Sequence, residues 1–345
     1  MKRVALLCPG RGAYARTELG SLTRKAASDA RAQSVLQRLD SARKGAASVG
    51  ALDSSERFSS QHLAGENAAA LIFSGTLMDA VTLRSDLELV AVGGNSMGFY
   101  SALAVSGALG LEQGFLLADA MGTYQRDGVV GGQVIVPVCD DEWRADAAAV
   151  AAVDAALLQV QREGLQVAHS IHLGGHAVLA GDDAAVKRLL QLLPKRRIGE
   201  REYPFQLLGH SAFHTPLMMP TSTKAQARFE GLSWSAPRLP LVDGRGCVFM
   251  PRTACPQELW RYTLGTQVTD TFDFTLAVRV ILREFAPDAL VLLGPGDSLG
   301  SPVAQVLIQE GWQGLHCRSD FIKRQQSAEP IVLSFARDEQ RAFVV

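Results

Sequence analysis

The sequence predicts an α/β fold in two parts: a larger domain over residues 1–130 and 206–345, and a small ferredoxin-like domain over residues 131–205. Two observations carry this. A β-rich run, Leu87 to Val92, ends in Gly93-Gly94 and passes through Asn95-Ser96-Met97-Gly98 into a helix-favouring stretch from Phe99 to Ser106. From Gly132 the pattern changes to strand, helix, strand, strand, helix, strand, the order of a self-contained βαββαβ unit.

In chain order, the apolar run Val4 to Cys8 reads as a buried first strand, stopped by Pro9-Gly10 and too short for a membrane span or a signal segment. A polar stretch with helical spacing runs to about residue 60, its basic residues interleaved with acids as on a solvated face. Residues 65–83 are apolar all round a helix, which suits an element buried against a sheet. The small domain is expected to comprise a strand over 133–138, a helix over 141–163 and strands over 166–173 and 176–181. A helix over 182–193 and an extended segment over 196–205 would complete it. The larger domain then resumes, with a helix opening near His210 to Met219 and a terminal α/β unit containing Ala289 to Gly300.

With 345 residues, 47% of them hydrophobic, the chain can bury a substantial core. A formal net charge of -1 leaves no global field for nucleic acid or an anionic membrane. The five cysteines are scattered and odd in number, which favours reduced thiols and a cytoplasmic setting over disulfides or a metal site.

Gly94-Asn95-Ser96-Met97-Gly98 matches Gly-x-Ser-x-Gly at a strand-to-helix junction, the nucleophile elbow of an α/β-hydrolase-like domain. Glycines let the backbone turn sharply, and the helix N-terminus offers N–H groups to a developing oxyanion. A serine hydroxyl needs a positioned base, so a histidine of the same domain is required. His169, His172 and His176 alternate along small-domain strands and read as sheet-surface or cleft-edge residues, with His172 and His176 able to line the cleft between domains. His62 and His316 read as ordinary surface histidines, leaving His210 and His214; His214 stands at a loop-to-helix entry just after the insertion.

Together these pieces resemble the malonyl-CoA:acyl carrier protein transacylase family, including the acyltransferase domains of polyketide and fatty-acid synthases. Pro9-Gly10-Arg11-Gly12 is similar to the family's Pro-Gly-Gln-Gly loop. Gly94 to Leu103 resembles its Gly-His-Ser-Leu-Gly-Glu-Tyr-Ser-Ala-Leu. Phe213 to Met218 is similar to its Ser-His-x-x-Leu-Met, and Gly294-Pro295-Gly296 to its late Gly-Pro-Gly. The resemblance implies a ping-pong reaction in which Ser96 takes an acyl group from coenzyme A and passes it to the phosphopantetheine thiol of an acyl carrier protein. His214 would be the base and then the acid, and the backbone N–H groups of Met97 and Arg11 the oxyanion hole. It implies no bound cofactor and no metal.

The departures sharpen the expectation. Where malonyl-specific members carry a carboxylate-binding arginine before a glycine, this chain has Met121-Gly122, and a thioether cannot pair with a carboxylate. Uncharged acyl groups, acetyl or longer, are therefore expected, with Met121, Asn95, Phe213 and His172 as substrate-binding residues. Arg126 is a substitute cation that helical geometry would turn to another face. Asn95 replaces a histidine, and Asp273 stands near the family's Gln or Arg beside the catalytic histidine, where it could orient His214 as in a hydrolase triad. Two further readings follow: an editing hydrolase of acyl thioesters, and a non-catalytic relative that binds carrier proteins.

Overall fold

The computed structural model describes residues 1–345 apart from the side chains of Arg126 and Asp127. Strand β1 (Lys2–Cys8) is buried from Val4 onward. Short helices over Ser21–Ser28 and Ala30–Ala42 follow, exposed on one side as their interleaved charge requires. Helix α1 (Gly65–Thr82) is buried almost throughout, in keeping with its lack of a polar face. Strand β2 (Leu87–Gly94) leads through the elbow into α2 (Gly98–Val105), and α3 (Leu111–Thr123) returns along α1.

The small domain follows: β3 (Gly132–Pro137), α4 (Ala147–Arg162), β4 (Val167–Leu173), β5 (His176–Gly181) and α5 (Asp183–Leu192). Helix α4 starts six residues later than the sequence suggests. Residues 140–144 fold into a turn, and the Asp146 carboxylate caps the helix through the amides of Ala148 and Ala149. The extended segment is a hairpin of β6 (Arg196–Ile198) and β7 (Arg201–Tyr203), with only β8 (Phe205–Gln206) reaching the sheet.

Returning to the larger domain, the chain forms β9 (Leu241–Val242), β10 (Val248–Phe249), β11 (Phe272–Asp273), α6 (Phe274–Phe285), β12 (Ala289–Leu292) and β13 (Val332–Ser334). The large sheet has the order β10-β9-β2-β1-β12-β13, parallel except for β9 with β10. The small sheet has the order β11-β4-β5-β3-β8, so its last four strands carry the ferredoxin-like arrangement and β11 joins as an edge strand from the larger domain. Each domain has its own core: Val134, Leu157, Leu179 and Leu189 centre the small one, while Leu6, Phe73, Phe99 and Ile281 belong to the large one. Among the described residues, no helix is long and apolar enough to cross a membrane.

Strand β1 lies between β2 on one side and β12 on the other, so the connections from the two halves of the sheet diverge there. The carboxyl ends of β1 and β2 therefore open on a crevice where two loops meet.

Candidate active site

The first loop follows β2. Ser96 takes the left-handed backbone conformation, φ 52°, that a sharp strand-to-helix turn imposes. Its two flanking glycines are sterically required: a Cβ on Gly94 would lie 2.3 Å from the carbonyl group of Gly98, and one on Gly98 would lie 2.2 Å from the Cys8 oxygen. The second loop, residues 9–13, passes directly against the elbow, since a Cβ on Gly10 would lie 2.5 Å from the Asn95 oxygen. Among the described residues, neither the Met97 N–H nor the Arg11 N–H donates to a protein acceptor, so both are available to an oxyanion.

The Ser96 hydroxyl lies 2.7 Å from His214 Nε2. His214 also has a positive φ, 58°, and is held by a tied loop: Ala212 N–H donates to Val130 oxygen at 2.7 Å, and Ser170 Oγ to the Phe213 carbonyl at 2.8 Å. Its Nδ1 donates to the Gln267 backbone carbonyl at 2.6 Å, which leaves Nε2 free to accept the serine proton. Burial pushes the His214 pKa down to about 4, only partly offset by the bond to Gln267. The imidazole is therefore a neutral base.

This geometry corrects the expectation for Asp273. Its carboxylate accepts from the Leu276 N–H at 2.7 Å and caps α6, a use set by its position at a helix start. The partner of the imidazole is Gln267, whose side-chain amide also donates to the Ser96 carbonyl at 3.0 Å and ties base to nucleophile. Sequence reasoning missed it because a backbone carbonyl leaves no residue-type signal. Gln267 follows a π-helical turn over Tyr262–Thr266, a local distortion often found at functional sites.

Around Ser96 and His214 lies a cavity of about 360 Å³. Met121, Asn95 and Phe213 line it, beside Tyr100, Ile171 and Leu173. His172 does not line it: strand alternation turns Ile171 and Leu173 inward and His172 to the opposite face, where its ring lies 4.8 Å from that of His169. Arg126 lies outside the residues whose side chains are described.

His210 lines the same cavity, bonded through Nδ1 to Gln133 at 2.8 Å. Burial, with the nearby Arg11 cation, lowers its pKa to about 3. Arg11 itself extends into the cavity, donating to the Gln125 side-chain oxygen and to the Leu63 carbonyl. Burial lowers its pKa to about 10, opposed by the field of Glu66.

A larger cavity, about 630 Å³, is lined in part by the Gly294-Pro295-Gly296 loop and contains the buried Lys25–Asp79 pair. The loop is structural support. Asp79 accepts from the Gly294 N–H at 2.7 Å, and a Cβ on Gly296 would lie 2.3 Å from the Ala13 oxygen, so the loop braces the one carrying Arg11. No group of histidine, cysteine and acidic side chains suited to a metal ion occurs among the described residues.

No family model and no curated protein matches the chain. Solved structures do, over nearly its whole length. The malonyl CoA-acyl carrier protein transacylase of Coxiella burnetii is 18% identical with a TM-score of 0.76, over 99% of this chain and 96% of that one. The acyl-carrier-protein S-malonyltransferase of Bartonella henselae is 18% identical with a TM-score of 0.75, over 99% and 97%. A malonyl-transacylase in complex with the acyl-carrier protein of a type II polyketide synthase is 17% identical with a TM-score of 0.75, over 99% and 98%. At these identities the likeness is one of fold, and it agrees with the two-domain α/β architecture that the sequence predicts.

Proposed function

We propose, for a chain with the fold of the acyl-carrier-protein malonyltransferases, that it moves an uncharged acyl group from a coenzyme A thioester to the phosphopantetheine thiol of an acyl carrier protein through an acyl-Ser96 intermediate. The observation that carries this is the 2.7 Å contact from Ser96 Oγ to a neutral His214 Nε2 inside a largely apolar cavity. A carrier protein as acceptor is supported by the fold-related transacylase whose structure holds one.

In the first half-reaction His214 Nε2 takes the hydroxyl proton as Oγ attacks the thioester carbonyl. The charge on the carbonyl oxygen falls to the Met97 and Arg11 N–H groups. The C–S bond breaks, and the departing thiolate takes the proton from the imidazolium. In the second half the carrier's thiol gives its proton to Nε2, its sulfur attacks the ester carbonyl, and Ser96 recovers its proton as the C–O bond breaks.

The choice of an uncharged acyl group rests on Met121. A carboxylate placed beside it would be buried without the bidentate cation that pairs such groups, at a cost of several kcal/mol.

Intact-mass analysis after incubation with acetyl-, butyryl- and malonyl-CoA, followed by carrier protein, tests the reading. The expected result is an adduct with the uncharged acyl groups, absent in Ser96→Ala and passed to the carrier. Release as free acid would make the protein a hydrolase, preferential loading by malonyl-CoA would overturn the role of Met121, and no adduct with any thioester would overturn the mechanism.

A further inference from the structure

The acyl cavity is not uniformly apolar. Two hydrogen-bond donors without a full set of acceptors, on Arg11 and Tyr124, are among its lining. Arg11 reaches in from the N-terminal loop: its guanidinium donates to the Gln125 side chain, four residues beyond Met121, and to the Leu63 carbonyl at 3.1 Å. A guanidinium carries five N–H groups in a rigid fork, so these two bonds leave donors over. Tyr124, which lines the same cavity, has a buried hydroxyl with no partner among the described residues. The start of α1 and the end of α3 pack closely here. A Cβ on Gly65 would lie 2.5 Å from the Gly122 oxygen and 2.7 Å from the Gln125 side-chain oxygen that Arg11 engages.

A buried hydroxyl without an acceptor is costly, and a group entering the cavity can supply the acceptor that Tyr124 lacks. Ala69, Ile171 and Leu173 present carbon to an acyl chain, while Asn95, Gln133 and Gln267 are polar lining on other walls.

We infer that the acyl group carried on Ser96 bears an uncharged oxygen acceptor, a keto or hydroxyl group, beyond its thioester carbonyl, and that the Arg11 guanidinium with the Tyr124 hydroxyl selects it. This rests on the acyltransfer reading above and names its substrate class. Neutral oxygen is favoured over carboxylate by two observations. Met121 stands where the resemblance places the carboxylate-binding arginine, and the Glu66 carboxylate already lies in the field of Arg11, where it would repel a second carboxylate. What the pair offers is donors more than net charge. Arg11 is thus a specificity-determining residue with two separable parts: its backbone N–H faces the oxyanion, and its side chain reads the acyl group.

The test compares Ser96 loading by acetoacetyl-, 3-hydroxybutyryl-, butyryl- and succinyl-CoA in the purified full-length protein. The two oxygenated four-carbon groups are expected to exceed butyryl in kcat/KM by about tenfold or more, because a site built around donors rejects an analogue that leaves them unpaired. In Arg11→Met that ratio should fall to about twofold or less, and Tyr124→Phe should lower it several-fold. Equal loading of butyryl and acetoacetyl by the wild type would overturn the inference, as would a ratio that survives Arg11→Met. Succinyl-CoA outpacing the neutral oxygenated groups would overturn the choice of an uncharged oxygen. Should Arg11→Met fail to fold, the wild-type panel and Tyr124→Phe still decide. No adduct with any thioester is a different failure, that of the acyltransfer reading itself.

Discussion

Replacing Asp273 separates two roles a carboxylate near a catalytic histidine can play. In the structure it caps α6 through the Leu276 N–H at 2.7 Å, and His214 leans on the Gln267 carbonyl. Asparagine caps nearly as well as aspartate, so Asp273→Asn should change stability by a few tenths of a kcal/mol, whereas Asp273→Ala should cost about 1 kcal/mol, within roughly 0.5–2. For 345 residues the unfolding entropy near the midpoint is about 0.7 kcal/mol/K, so the alanine variant should lose about 1–3 °C in Tm and the asparagine variant less than about 1 °C. Ser96 acylation should stay within about twofold in both. A carboxylate orienting the imidazole would behave otherwise, since loss of that member of a triad costs on the order of 10⁴ in rate. The assay is a melting curve paired with the rate of acyl-Ser96 formation by mass. An asparagine variant with unchanged Tm and acylation down more than about a hundredfold would refute the assignment of Gln267 as the histidine's partner.

The low pKa of His214, about 4, predicts an acid limb for Ser96 acylation near pH 4. At pH 5 about 90% of such a base is neutral, against about 3% for an ordinary histidine, and labelling by an acylating serine reagent across pH reads the difference. A limb near 6.5 would refute it. The same shift has a stability consequence: an unfolded histidine takes up a proton below about 6.5 while the buried one does not. Stability should therefore be lost as pH falls from about 6.5 towards 4, and His210, lowered to about 3, acts in the same direction; chemical denaturation at pH 7 and 5 checks the sign. Gly98→Ala should cost at least about 3 kcal/mol, because its Cβ would meet the Cys8 and Pro9 oxygens at 2.2 and 2.7 Å and both belong to backbone; a wild-type Tm would refute that.

Much of this was legible in the sequence for local reasons. The glycines at 94 and 98 and the serine between them announce a turn whose geometry depends on residue type, and the alternation of strand and helix after Gly132 is periodicity that a single chain displays. His214 could be named because a serine nucleophile needs a base and its motif stands where the chain returns to the larger domain. The tertiary structure decided what depends on contacts between distant segments. Which group holds the imidazole was open because a main-chain carbonyl looks the same in every sequence, and the neighbouring Asp273 was the more visible choice. His172 was placed in the cleft because its strand was known but not which face met the cavity. The guanidinium of Arg11 could be read as present, but only packing across α1 and α3 brings it to Gln125 and into the cavity that Tyr124 also lines, which is what lets a residue chosen for its backbone N–H be proposed to read the acyl group.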